Sequence, residues 1–574
     1  MKTNGQLVAG LAAHMLLIGL PGIAAALLSV RRGLRQVPLI LGVALLASGL
    51  TAFLAFWAYY ADSGAGKVWD FLLVLGSAGL IAWLWREREL DRAVLRQLRT
   101  PLALWALGSC FVVFLGFLHG GTENAVSMSA LRFSGQLPTD NDIPRYFAEW
   151  FSTHGHQNPP PLYPPDWLMS DRPPLQVGYV LAQRGFFNTP AGLHYEILCA
   201  IVQALWIVGM WAVLVAARLR PRTRALAMGA AMVSDIAILH GFFVWPKLIA
   251  AAFLLAALAI VISPSWARGR TDLRLAALVG ALLALALLAH GSSVFGLVPL
   301  VLVALYRGVP SWRWIGVAAV AGAVLMVPWS AYQHYANPPG NRLLKYQLGG
   351  DTELDSKGTL EAIVDGYEEA GWDGTLDNKA ANFGEMVGWP RLGDEYEEAI
   401  DGLDEGKPGT ALTKVRGPRF FGLLPMLGLL LIGPLAMLYA RLRGRERDRG
   451  EWRFALLCLG FGVIACVIWG LLLYGTPSTR ATIHVGTLAV PLLAIVGCVV
   501  GLASCFPRLA AWVVGLNLLV VLALYTPALE PLPGTSYSPP TALLAAASLG
   551  GIGWVLCAHA GSREQPRAPR ATAP

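Results

Sequence analysis

Nothing in this chain has the form of a nucleotide-binding motif. It contains no GxxxxGK[ST] run and no Gly-rich strand–turn–helix unit, so chemistry built on a phosphate-cradling loop for a nucleotide is disfavoured. Charge is scarce. Only 14% of the 574 residues are Asp, Glu, Lys or Arg, well below the roughly 25% of an ordinary soluble domain. Cysteine is scarce too. The seven (Cys110, Cys199, Cys458, Cys466, Cys498, Cys505 and Cys557) show no CxxC or paired spacing, which argues against a disulfide framework or a thiolate metal site and leaves them as small apolar residues. No convincing internal repeat is visible, which weakens a transporter assembled from related halves. The strict alternation of an outer-membrane strand is missing as well.

What the chain has in abundance is apolar sequence: 55% hydrophobic residues and a mean hydropathy of +0.54. Runs of about 20 apolar residues recur along its length, enough to cross a hydrocarbon core about 30 Å thick as helices. The expected spans are 6–29, 38–60, 68–85, 101–119, 193–217, 225–243, 245–263, 275–290, 292–306, 314–333, 420–440, 454–474, 486–504, 509–527 and 541–559. The expectation is therefore an all-α polytopic integral membrane protein with roughly 13–15 transmembrane helices and two large outer-face loops.

Orientation follows from arginine in the short loops. Clusters at 31–35, 86–99, 218–224, 268–274, 307–313, 441–453 and 563–570, together with Arg508, all fall on one side of that span list. They predict an N-out, C-in chain, and the net charge of +8 then reads as a topology signal. Because the arginines are dispersed over separate short loops, they make no stripe for nucleic acid. The first apolar run is long and carries only Lys2 ahead of it, so a cleaved signal peptide is not expected. The expected location is the cytoplasmic (inner) membrane of a bacterium, with the large loops extracytoplasmic.

The polar mass lies in two stretches, 120–192 and 334–419. The organisation expected is a set of N-terminal spans (1–100), a core (101–333) that includes the loop 120–192, an acidic outer subdomain (334–419), and C-terminal spans with a basic tail (420–574). In the second loop, 359–371 has helical spacing at Leu360, Ile363, Val364 and Tyr367 and ends near Gly371.

The first loop opens with "LPTDNDIPRYFAEW" (137–150). Asp142 stands where an N-cap would precede Pro144 in the first helical turn, but that role does not explain Asp140. A carboxylate at a membrane mouth can act as a general base or bind a divalent cation, and Asp-Asn-Asp leaves both roles open, metal dependence included. Further along, Pro clusters hold an extended path to "SDRPPL" (170–175), which opens a helix expected over 174–184. Asp171 can cap that helix; Arg172 can pair with Asp171 or bind an anion.

Cations stand at the mouths of later spans. Lys247, beside His240, either snorkels or contacts a phosphate. His290 precedes Gly291-Ser292-Ser293, where a capping serine or an anion bound to free N–H groups fits the pattern. Arg480 and His484 lie in a short outer loop against the arginine bias, as a phosphate clamp would. Asp235 is a mid-span carboxylate, and no catalytic role is assigned to it.

An acidic motif in the first large outer loop of a polytopic protein resembles the GT-C superfamily of membrane glycosyltransferases. "DRPPL" (171–175) is similar to the Pro-Pro-Leu motifs in the same loop of protein O-mannosyltransferases and lipid A aminoarabinose transferases. The resemblance spans about 101–500. It departs in having four spans before the acidic loop, where one is usual, and Asp-Asn-Asp in place of Asp-Glu. It implies an enzyme that transfers a sugar from a polyprenyl-phosphate donor to an acceptor hydroxyl on a glycan, lipid or protein. Asp140 or Asp142 would be the base, and Asp171, Arg172, Lys247, His290, Arg480 and His484 would line the donor-phosphate site. An O-antigen polymerase or ligase, and a non-enzymatic transporter of lipid-linked sugar or polysaccharide, are the alternatives. The acidic second loop speaks against the first of these, and the single mid-span carboxylate against the second.

Overall fold

The computed structural model describes residues 2–87, 90–133, 137, 139–161, 167–387, 392–416, 428–445, 448–475, 487–528 and 536–561. All regular structure among the described residues is helical. Among the described residues, nine helices are long and apolar enough to cross a membrane, ten if the pair Pro221–Met232 and Asp235–Phe243, bent by 49°, forms one span. Five more of the expected spans appear as shorter apolar helices: Lys247–Ile262, Leu273–Ala289, Gly291–Arg307, Leu429–Leu442 and Ala489–Cys505. A helix of 16 residues such as Lys247–Ile262 extends about 24 Å, less than a hydrocarbon core. Its every residue is buried, so protein rather than lipid covers it and its length is free of that constraint. The molecule is a polytopic helical membrane protein. Leu72, Leu75, Val320, Val324, Val463, Leu519, Leu543 and Trp554 on its outer helices stay exposed, as a lipid-facing surface requires.

Short turns are set by local chemistry. Asp62 ends one helix and caps the next, accepting from Gly64 N–H at 2.8 Å and Ala65 N–H at 2.9 Å. Asp91, Asp272 and Asp448 cap Arg92–Gly116, Leu273–Ala289 and Arg449–Leu472 in the same way.

The basic clusters that lie within the described residues gather at one end of the bundle. There Arg35 faces Asp91 at 3.5 Å, Arg220 grips Glu451 at 2.5 Å, and Arg307 donates to the Ile262 and Ser263 carbonyls. The two polar stretches meet at the other end, where Ser170 N–H donates to Asn337 Oδ1 at 2.9 Å and Arg342 lies 3.9 Å from Asp171. Tyr332 and Gln333, at the end of the preceding span, add bonds to Asn158 at 3.2 Å and to the Ser170 carbonyl at 2.8 Å. Loop and arginine ends are thus opposite, as the charge pattern requires.

The described residues of the first polar stretch hold three short α-helices, Ala125–Leu131, Ile143–His154 and Leu175–Leu181. Ile143–His154 buries Ile143, Phe147 and Phe151 on one face. Leu175–Leu181 is buried throughout and packs on Val37–Ala61. A Cβ at Gly178 would lie 2.1 Å from the Ala52 carbonyl oxygen, so only glycine permits that approach. In the second stretch, the helix that starts at Thr359 ends at Gly371 as expected, where φ is +62° and ψ −172°, and a second helix runs on from there to Val387. All seven cysteines are free thiols.

Candidate functional site

Asn141 is the pivot of the acidic turn Thr139–Asp142. It is buried; its amide donates to the Val126 carbonyl at 2.9 Å and to the Ser129 hydroxyl at 2.7 Å. Its own carbonyl accepts from Tyr195 at 2.6 Å. With the middle residue pinned, the two flanking carboxylates part. Asp140 faces Arg172, Oδ2 to Nη2 3.6 Å. Asp142 takes both arms of Arg145, one of them at 3.1 Å, and this pairing raises the Arg145 proton affinity above its ordinary value.

Two capping roles fail here. Asp142 already has helical backbone angles (φ −81°, ψ −21°) and its side chain caps nothing; Arg145, one turn on, claims the carboxylate. Asp171 does not cap Leu175–Leu181, which starts after Pro174. It accepts from Leu168 N–H at 2.9 Å and lies 3.9 Å from Arg342. Burial raises the Asp171 pKa, opposed by that N–H and by Arg172 and Arg342.

Arg172 is sandwiched by aromatics. Its guanidinium carbon stands 4.3 Å from the Trp167 ring centre and 5.3 Å from that of Trp245, and Arg342 shares the Trp167 ring at 5.0 Å. Burial weakens its hold on its proton, and Asp140 and Asp171 counter that. The Trp245 indole N–H donates to His290 Nε2 at 3.1 Å. His290, not a serine, caps the turn Gly291–Ser293, accepting from Ser292 N–H at 3.2 Å. It serves the site through Trp245.

Lys247 completes the group. It is fully buried, its ammonium has no hydrogen-bond partner, and Asp140 is the carboxylate whose charge acts on it. Snorkelling is therefore not what this side chain does. The turn that delivers it is strained: Val244 sits at φ +54°, a left-handed conformation rare for a β-branched residue. Its carbonyl accepts from the Gln176 amide at 2.7 Å.

The structure thus gathers Asp140, Asp171, Arg172, Lys247 and His290, and sets Asp142 aside with Arg145. Arg480 and His484 lie outside the described residues. Trp167, Trp245, Arg342, Gln176 and Tyr195 join the site unheralded by the sequence reading; the Trp-Pro-Lys break at 245–247 in an apolar run is the one signal that marks any of them. Arg172, Lys247 and Arg342 outnumber Asp140 and Asp171, so the mouth of the bundle is net positive and suits an anion. Among the described residues, no three His, Cys, Asp or Glu side chains converge on a metal position. Compared with protein-family models, curated proteins and solved structures, the chain matches none.

Proposed function

We propose that the protein is a membrane glycosyltransferase of the GT-C kind, moving a sugar from a polyprenyl-phosphate donor to an acceptor hydroxyl at the loop end, on the extracytoplasmic side. The observation that carries this reading is Lys247, a buried ammonium with no hydrogen-bond partner under the charge of Asp140. An unpartnered buried cation is costly, and a negatively charged leaving group is a partner that repays the cost. Asp140 takes the proton of the acceptor hydroxyl. The acceptor oxygen bonds to the anomeric carbon as the bond from that carbon to the phosphate oxygen breaks. The polyprenyl phosphate departs with the electron pair, and Lys247 and Arg172 hold its charge. Of the two carboxylates, Asp140 has the base's place because Arg145 holds Asp142 through two hydrogen bonds, whereas Arg172 stands 3.6 Å from Asp140, outside hydrogen-bond reach.

The test is a glycan profile, by mass spectrometry, of a host lacking the gene and complemented with wild type, Asp140→Asn or Asp142→Asn at matched membrane levels. Wild type and Asp142→Asn restore the missing sugar and Asp140→Asn does not. Full restoration by Asp140→Asn would remove the base assignment. An unchanged profile on deletion, with transbilayer movement of intact donor, would move the protein to the transporters.

A further inference from the structure

A second group of cations lies at the loop end and takes no part in the site above. Arg132 follows the helix Ala125–Leu131 and Arg416 follows Pro408–Val415. They come from the two separate polar stretches, and both are buried, at 2% and 0% exposure. Arg132 donates to the carbonyls of Tyr525 at 3.2 Å, Thr526 at 3.1 Å and Pro527 at 3.0 Å. Arg416 donates to the same Pro527 oxygen at 2.9 Å, with its guanidinium carbon 5.4 Å from the Tyr525 ring centre. His119 adds a contact to the Thr526 carbonyl at 3.0 Å.

Capping the helix Pro507–Tyr525 accounts for one arginine. Arg132 alone covers the carbonyls of Tyr525, Thr526 and Pro527 at the end of that helix. Arg416 adds a bond only to an oxygen already served. Three nitrogens stay without partners: Arg132 Nε, Arg416 Nε and Arg416 Nη1. Among the described residues no carboxylate acts on either guanidinium: only burial and Arg416 bear on Arg132, only burial and Tyr525 on Arg416, and Asp235 acts on Tyr525 instead. Burial, with like charge on the Arg132 side, weakens the hold of both on their protons. An arginine does not shed its proton in a protein, so two adjacent buried guanidiniums call for a counter-ion rather than for neutralisation.

We propose that Arg132 and Arg416 form a phosphate-binding site. Two guanidiniums carry the charge of a phosphate dianion, and three free N–H-bearing nitrogens suit its several oxygens better than the two of a carboxylate. The charges that act on Lys247 and Arg172 come from Asp140, Asp171, Arg342 and Tyr346, so this site stands or falls apart from the glycosyltransferase reading.

The experiment uses the full chain in nanodiscs, as wild type, Arg416→Gln and Lys247→Met. Arg416→Gln keeps an amide donor for Pro527 and removes the charge. In one arm the discs are pure phosphatidylcholine and inorganic phosphate is titrated, with thermal unfolding as the readout. In the other, the discs contain phosphatidic acid and native mass spectrometry counts retained lipid. Wild type and Lys247→Met are expected to bind in at least one arm, and Arg416→Gln to bind at least about tenfold more weakly. Binding in the first arm assigns a free phosphate; binding only in the second assigns a lipid headgroup. If wild type binds neither probe, or Arg416→Gln binds as wild type does, the two arginines are a helix cap alone and the proposal is overturned.

Discussion

The Tyr195 hydroxyl donates to the Asn141 carbonyl at 2.6 Å and accepts from the Gln176 amide at 3.0 Å. Because Gln176 also donates to the Val244 carbonyl, a buried chain of hydrogen bonds runs from the acidic turn to the turn before Lys247. Each end carries one member of the proposed catalytic pair, Asp140 and Lys247. Tyr195 and Gln176 are positioning residues: they fix two loops against each other across the helices Gly192–Gln203 and Leu175–Leu181. Tyr195→Phe breaks the chain at one oxygen and leaves the Asn141 carbonyl unpaired. The expected cost is about 1–3 kcal/mol of stability and about tenfold or more in product formed per folded protein. Product yield normalised to folded protein in membranes checks this; yield equal to wild type would leave the chain with a purely structural part.

Lys247 carries the opposite balance of stability and function. A buried ammonium without a hydrogen-bond partner destabilises the empty protein, and methionine fills nearly the same volume without charge. Lys247→Met is therefore expected to unfold later than wild type, by about 1–3 kcal/mol, while glycan transfer falls about a hundredfold or more. Thermal unfolding in detergent and the complementation profile read the two effects separately. A variant both less stable and inactive would mean that Lys247 is a structural residue with a partner in the resting protein.

How far the sequence could be read depended on the distance over which each feature is decided. Spans and orientation are local matters of apolar length and nearby arginine, and among the described residues each expected span overlaps a helix. Of the short helices, Lys247–Ile262 is buried along its whole length, so lipid thickness does not set its extent. Asp140 was visible because the Asp142 cap left it unexplained. The capping role of Asp142 yields to a local ion pair with Arg145 one turn on, and that of Asp171 to partners away from its helix, Leu168 N–H and Arg342 far along the chain. The convergence of Trp167, Trp245 and Arg342 on Arg172 has no local signature at all. Arg132 and Arg416 look like ordinary loop arginines until the fold buries them together.

The acidic second stretch offers a test by pH. Lys379, half-buried in the helix Thr359–Val387, donates to the Leu473 carbonyl and to the Tyr367 hydroxyl at 2.5 Å. Asn382 beside it donates to Gly470 and Leu473 carbonyls at 3.1 and 3.0 Å, so this helix is docked on the carbonyl end of Arg449–Leu472. Burial lowers the Lys379 pKa from 10.5 to about 8. In the unfolded chain the ammonium persists to its ordinary value, so between about pH 8 and 10.5 the unfolded state binds more protons than the folded one. Stability from this residue therefore rises with pH across that window. Solvent screens a half-exposed group, which limits the gain to the order of 1 kcal/mol. Lys379→Met removes the titration. The stability of wild type minus that of the variant, from denaturant unfolding, should grow between about pH 7 and pH 10. A difference that stays flat, or shrinks, would mean that the ammonium is as well solvated in the docked helix as in the unfolded chain.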